Sequence, residues 1–356
     1  MPTHLVGDMS GRDYPASTER NSRAAGICLH IGLVNNMPDG ALKATERQFL
    51  TLLDSAADGI MVHVSLYALP DVPRTDSGRQ HVSRYYSSVE SLWDRQLDGL
   101  IVTGTEPRAS DLTQEPYWGS LTKLIEWAEH NTHSAVWSCL AAHAAVLHND
   151  SVGRRRLGDK RFGVLECARA SDHRLMAGVP SPFRMPHSRW NEISESELLD
   201  QGYQVLTRGK DGDVDAFVKQ RNSLFVFFQG HPEYEVNTLL LEYRRDVGRY
   251  LSGKRDTYPS MPEGYFDCEA ADIFTALRKR ALHERRRELL AEFPIVQVEE
   301  NIASTWRPVA SQVYGNWLAY LRAQKARRMA DTRRRKRPQR KAGLPLSLPR
   351  AGVSTL

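Results

Sequence analysis

The sequence predicts an α/β fold: a doubly wound, mostly parallel sheet flanked by helices, with a small antiparallel insertion and a disordered basic C-terminal tail. Three observations predict it. Short apolar runs alternate with segments of helical spacing from Ile27 to Val146, the grammar of βαβ units. Between Arg154 and Asn222 the pattern changes to shorter elements bounded by turn residues, as in antiparallel strands. After residue 322 the chain turns Arg-rich and loses its aromatic residues, the composition of a solvated appendage.

Ile27 to Val34 reads as a buried first strand, and Asn35 to Gly40 as a loop. Ala41 to Ala56 has helical spacing through Leu42, Phe49, Leu50, Leu52 and Leu53. A second strand, Met61 to Leu66, leads into a polar connection from Pro70 to Arg84. A helix near Val89 to Gln96 precedes a third strand, Gly99 to Thr103. Tyr117 to Glu129 is amphipathic, with Trp118, Leu121, Leu124, Ile125 and Ala128 on one side. The run Ser134 to Ser138 then turns directly into an alanine-rich helix. Gln204 to Thr207 and Val214 to Val218 read as antiparallel strands, and Leu224 to Gln229 returns to the core. Asn237 to Leu251 is a helix, Leu282 to Glu292 a charged exposed helix, and Val309 to Ala323 a last amphipathic one carrying Trp317 and Tyr320.

A chain of 356 residues with 41% hydrophobic and 26% charged content suits one large globular core. We expect a disordered segment over 1–24, one domain over 25–321 and a basic disordered tail over 322–356. The net charge of +5 is unevenly spread: Arg322 to Arg350 holds twelve Lys or Arg against one acid, Asp331. No run of about 18 apolar residues predicts a membrane span, and the N-terminal segment has no apolar signal core. Cys28, Cys139, Cys167 and Cys268 are too scattered for a disulfide scaffold or a metal pattern, so a cytoplasmic protein without metal is expected. Nucleic acid is not expected as a partner beyond nonspecific contacts by the tail.

Cys139 sits where the apolar run becomes a helix. A cysteine on such a run is more often a small core residue, but chemistry in α/β sheets gathers at the carboxyl ends of strands. A strand ending in a sharp turn holds the sulfur above the sheet, and the next helix aims its N–H groups at it. Leu224 to Gln229 likewise delivers His231, with Glu233 two residues on. Cys139, His231 and Glu233 are therefore the candidate nucleophile, base and orienting carboxylate. The Leu140 backbone N–H is the candidate oxyanion donor.

Nine short blocks in register resemble the homoserine O-succinyltransferase (homoserine transsuccinylase) family. They are Asn36-Met37-Pro38 with Thr45-Glu46-Arg47-Gln48-Phe49; Asp98 to Gly104; Tyr117-Trp118; Cys139; Phe162-Gly163-Val164; Pro186-His187-Ser188-Arg189; Gly230-His231-Pro232-Glu233-Tyr234; Arg245-Asp246; and Asn316-Trp317-Leu318. The resemblance implies a class I glutamine-amidotransferase-like fold and a ping-pong acyl transfer. An acyl-CoA, succinyl-CoA or acetyl-CoA, would load Cys139, and the acyl group would pass to the hydroxyl of L-homoserine in methionine biosynthesis. No bound cofactor is implied, and a homodimer is expected. It also implies that Arg245 grips the amino acid carboxylate and that Lys160 and Ser188 contact the same substrate. Arg108 and Glu106 fall where the family sets acyl-donor selectivity; a guanidinium there would pair with a succinyl carboxylate.

The chain departs from the family in having Leu140 and His143 after the candidate nucleophile and a loop two residues longer between Met37-Pro38 and Thr45-Glu46, around Lys43. His143 reads either as a satisfied core histidine or as a pocket residue. An acyltransferase acting on L-serine or another hydroxy amino acid, and a non-catalytic binding protein of the same fold, are alternatives. Glutaminase activity is disfavoured because Trp137 and Ala141 stand where amide-cleaving relatives bracket the cysteine with glycines.

Overall fold

The computed structural model describes residues 3–5 and 27–336. Its strands are β1 (Thr3–Leu5), β2 (Leu29–Val34), β3 (Val62–Tyr67), β4 (Gly99–Val102), β5 (Ser134–Ser138), β6 (Arg154–Arg169), β7 (Phe183–Ile193), β8 (Gln204–Gly209), β9 (Val214–Gln220) and β10 (Leu224–Phe228). Its helices are α1 (Asp39–Ala56), α2 (Asp76–Tyr85), α3 (Glu90–Trp93), α4 (Trp118–Asn131), α5 (Leu140–Asp150), α6 (Glu195–Asp200), α7 (Thr238–Leu251), α8 (Cys268–His283), α9 (Ile295–Glu299) and α10 (Arg307–Lys336).

All ten strands form one sheet in the order β1-β3-β2-β4-β5-β10-β9-β8-β6-β7. From β1 to β10 the neighbours are parallel, and from β10 to β7 antiparallel. The α/β expectation therefore holds. The central strands read as unbroken apolar runs because both of their faces are covered. Leu29, Ile31, Leu33, Ile101, Val136 and Val226 pack on one face with α1 and α10. Leu100, Val102, Ala135, Trp137, Phe225 and Phe227 pack on the other with α4 and α5. A third cluster lies among α7, α8 and α9.

Four elements differ from the sequence expectation, each for a physical reason. The connection from 70 to 84 contains α2, whose start is pinned by Thr75: its hydroxyl accepts from Gly78 N–H at 3.4 Å, and its own N–H donates to Asp39 at 2.7 Å. That second bond comes from α1, out of reach of local pattern. The stretch read as short, loopy elements holds the long hairpin β6–β7, whose register shifts between Arg156 and Arg161; its first half is polar and largely unburied, so alternation is faint there. The expected helix over 282–292 is instead a short 3-10 segment, Arg287–Glu292, preceded by α8. Asp267 caps α8 through Ala270 N–H at 2.8 Å, and Ala270, Phe274, Leu277 and Ala281 form its buried stripe.

The chain ends are also more ordered than expected. β1 lies within the segment 1–24 and pairs with β3, covering what would otherwise be a sheet edge. α10 continues past residue 322 to Lys336, and Lys325 Nζ on it bonds Asp98 Oδ2 at 2.7 Å and Cys28 O at 2.8 Å. The remainder of both expected disordered segments lies outside the described residues. Among the described residues no helix is long and apolar enough to cross a membrane.

Candidate active site

β5 and β10 are parallel neighbours with Ser138 opposite Phe228, so their carboxyl ends deliver Cys139 and Gly230-His231 side by side. Cys139 stands at the junction of β5 and α5 with φ +52° and ψ −112°, a conformation that costs an L-residue on the order of 1–3 kcal/mol. Its N–H donates to Phe228 O at 2.7 Å and its carbonyl accepts from Ala142 N–H at 3.0 Å, holding the turn from both sides. Gly104, just beyond β4, abuts this turn: a Cβ there would lie 3.0 Å from the Leu140 nitrogen and 3.3 Å from Ser138 O. Glycine thus keeps clear the space beside the first N–H of α5, where the helix dipole favours negative charge.

His231 is buried, and its Nδ1 lies 2.8 Å from Glu233 Oε1. A carboxylate can only accept, so Nδ1 carries a proton in either charge state of the ring and Nε2 is the nitrogen that titrates. Nε2 is buried, and the Cys139 sulfur is the neighbour it interacts with. Burial alone would disfavour the imidazolium. The Glu233 carboxylate and the neighbouring Cys139 sulfur outweigh it and raise the imidazole pKa well above its ordinary value. Two contacts fix the residue: His231 N–H donates to Pro186 O at 2.8 Å, and the Tyr234 ring stacks on the imidazole with centroids 4.2 Å apart.

Lys160, Ser188 and Arg245 converge on two carboxylates of α7, Glu242 and Asp246. Lys160 Nζ lies 3.4 Å from Glu242 and 3.1 Å from Asp246. Ser188 Oγ donates to Glu242, as does Tyr234 Oη at 2.6 Å. Arg245 Nε donates to Asp246 at 3.0 Å. Burial would raise the Glu242 carboxyl, but the Lys160 and Arg245 charges hold it below its usual range, and Asp246 behaves alike. Tyr234 thus links the imidazole to this charged cluster. Glu242 was not singled out from sequence, although Glu242, Arg245 and Asp246 have the i, i+3, i+4 spacing of one helix face. A cavity of about 500 Å³ shares Lys160 with the cluster but is not lined by Cys139, His231 or Glu233.

The two donor-selectivity candidates part company. Glu106 pairs with Arg249 of α7 at 3.1 Å. The Arg108 side chain is exposed, while its backbone N–H bonds Glu115 at 2.6 Å. Another guanidinium stands in this region: Arg154, half-buried at the start of β6, donates to Ser110 O at 3.1 Å, and Cys139 is among the groups acting on its charge. Burial lowers its pKa against the opposing charges of Tyr117, Glu115 and Cys139. Its place in a run of three arginines on a polar strand hid it in the sequence. Lys43 is exposed on α1.

His143 is a buried core histidine with one ring nitrogen bonded and the other, Nδ1, buried without a hydrogen-bond partner. Its Nε2 lies 3.0 Å from Gln229 Oε1, an oxygen that also accepts from Ile193 N–H, and burial pushes its pKa down to about 3. Behind His231 lies a second buried set, Cys167, His187 and Asp215, close enough in space to hold a metal. Arg189 Nε donates to His187 Nδ1 at 3.5 Å, so the ring proton sits on Nε2, 3.4 Å from Asp215. With that proton in place the imidazole itself presents no lone pair toward Cys167 and Asp215, although Asp215 Oδ1 is buried without a hydrogen-bond partner. Burial pushes the Asp215 carboxyl up to about 6.

The family model for homoserine O-succinyltransferase matches residues 13–328. The homoserine O-succinyltransferase of Rhodopseudomonas palustris is 44% identical over 312 residues, spanning 86% of this chain and 94% of that one. That of Bradyrhizobium japonicum is 42% identical over 308 residues, with 86% and 94% covered. Among solved structures, a glutamine amidotransferase from Thermotoga maritima is similar at 11% identity and TM-score 0.46, covering 83% of this chain and 98% of that one. With a family model over most of its length and relatives above 40% identity over nearly their whole length, the chain belongs to the homoserine O-succinyltransferase family and is an O-acyltransferase.

Proposed function

We propose that the protein moves a succinyl group from succinyl-CoA to the hydroxyl of L-homoserine by way of a thioester on Cys139. One observation carries the reading: parallel pairing of β5 with β10 sets a strained cysteine beside a buried imidazole on which its sulfur acts. The Cys139 thiolate attacks the donor carbonyl, and the oxyanion lies against the Leu140 N–H in the space that Gly104 leaves. One thioester replaces another, so the step is nearly balanced, and the departing CoA sulfur takes a proton from His231. The homoserine hydroxyl then attacks the acyl-Cys139 carbonyl while Nε2 removes its proton, with Glu233 holding the ring in the required tautomer. Collapse returns the thiolate and releases O-succinylhomoserine.

Lys160 and Arg245 supply positive charge for the amino acid carboxylate, with Ser188 beside them. A succinyl donor carries a free carboxylate that acetyl-CoA lacks. Arg154 suits it better than Arg108, because a half-buried guanidinium is less screened than an exposed one. Incubation with succinyl-CoA and no acceptor should add one succinyl group to the intact mass, on the Cys139 peptide. Cys139→Ala should abolish both the adduct and turnover; an adduct that persists in that variant refutes the assignment. Arg154→Ala should narrow the preference for succinyl-CoA over acetyl-CoA about 10-fold or more, whereas Arg108→Ala should leave it unchanged.

A further inference from the structure

At the amino ends of β2 and β3, away from Cys139, three metal-binding side chain types meet. Cys28 precedes β2, His30 is its second residue, and His63 is the second residue of β3. Residues two apart on an extended chain share a face, which aligns Cys28 with His30. Parallel register pairs His30 with His63, adding the third group to that face. β1 sets His4 at the register position opposite His63, so histidines occupy one row across three strands.

The Cys28 sulfur and a ring nitrogen from each of His30 and His63 lie within 4.8 Å of one another. The two rings meet edge to face with centroids 5.3 Å apart. A tetrahedral ion bound at about 2.0–2.3 Å holds its ligand atoms roughly 3.3–3.8 Å apart, so small rotations of partly exposed side chains would close the set. Burial and the Asp98 carboxylate hold the Cys28 thiol up against the Lys325 ammonium and the His63 backbone, so a bound metal has to displace the thiol proton. Lys325 is itself neutralised by Asp98 at 2.7 Å and so does not oppose a cation with a free charge. Spacing along the chain could not show this set, because its members come from separate strands.

We propose that Cys28, His30 and His63 form a binding site for one divalent transition-metal ion of the zinc class, a clip across the amino ends of the sheet. One sulfur and two imidazoles are the donors that zinc takes in preference to magnesium or calcium. Binding converts the Cys28 thiol to a thiolate, releases its proton to solvent and leaves the fourth position for water or another donor. The site is remote from Cys139 and independent of the acyl-transfer reading.

The test uses the full chain carrying Cys139→Ala, so that the elbow thiol cannot contribute, with cobalt(II) as the optical probe and zinc as competitor. One equivalent of cobalt should produce a thiolate-to-metal charge-transfer band that zinc abolishes. Adding Cys28→Ser should remove the band, and His30→Ala or His63→Ala should weaken cobalt binding at least about 10-fold. Metal-free melting curves of each variant check that the fold is intact. A missing band, a band that survives Cys28→Ser, or unchanged affinity in both histidine variants overturns the proposal; survival in Cys28→Ser would point to Cys167 instead.

Discussion

The Cys139 turn is held by backbone, so its geometry should survive loss of the sulfur. Its electrostatic partner should not be indifferent to that loss. Cys139 is one of the groups that raise the His231 pKa, so Cys139→Ala should lower the pKa of that imidazole, followed by the pH dependence of its ring signals in NMR. An unchanged titration would mean that the sulfur and ring do not interact. At Gly104 the relevant fact is a missing methyl. Gly104→Ala places a Cβ 3.0 Å from the Leu140 nitrogen and should cut kcat about 10²–10³-fold if that N–H serves the oxyanion, with thermal stability far less affected.

Among the elements, α7 carries the densest charge. Folded-state pKa values of Glu242 and Asp246 lie below their unfolded values of 4.5 and 3.8. Their contribution to stability is therefore complete above about pH 5 and is lost as pH falls through the folded values. Glu242→Gln should destabilise the protein by about 3 kcal/mol at pH 7 because Lys160 loses a buried partner. It should also flatten the acid limb of a denaturation-versus-pH profile; an equal loss at every pH would show that packing rather than charge sets the cost. The same helix shows what sequence can and cannot convey. Its apolar stripe and the Arg245-Asp246 block were legible, as were the strands feeding Cys139 and His231, because buried parallel strands are continuous apolar runs. The meeting of Lys160 from β6, Ser188 from β7 and Glu242 from α7 was not, since only the hairpin's register brings them together. Arg154 was hidden for a related reason: in a basic, half-exposed strand nothing local distinguishes it from Arg155 and Arg156.

Over the whole molecule, α10 spans the sheet face, with Trp317 and Leu321 packed on Gly99 and Lys325 bonded to Asp98 beyond them. Truncation after Leu321 removes that ion pair and the helix's last turns while sparing the packed residues. It should lower Tm by about 1–2 °C, equivalent to roughly 1 kcal/mol in a chain of this size, and leave kcat and KM unchanged. Loss of activity without loss of stability would give the removed segment a direct catalytic part.

The adjacency of β5 and β10 has a consequence in time as well as space. Between them the chain makes an excursion through β6, β7, β8 and β9 before β10 is laid against β5. Closing so long a loop is slow relative to local helix formation. Enzymatic competence during renaturation should therefore emerge late and in step with the quenching or shift of Trp137 fluorescence, since the last strand to arrive both seals that indole and brings the imidazole.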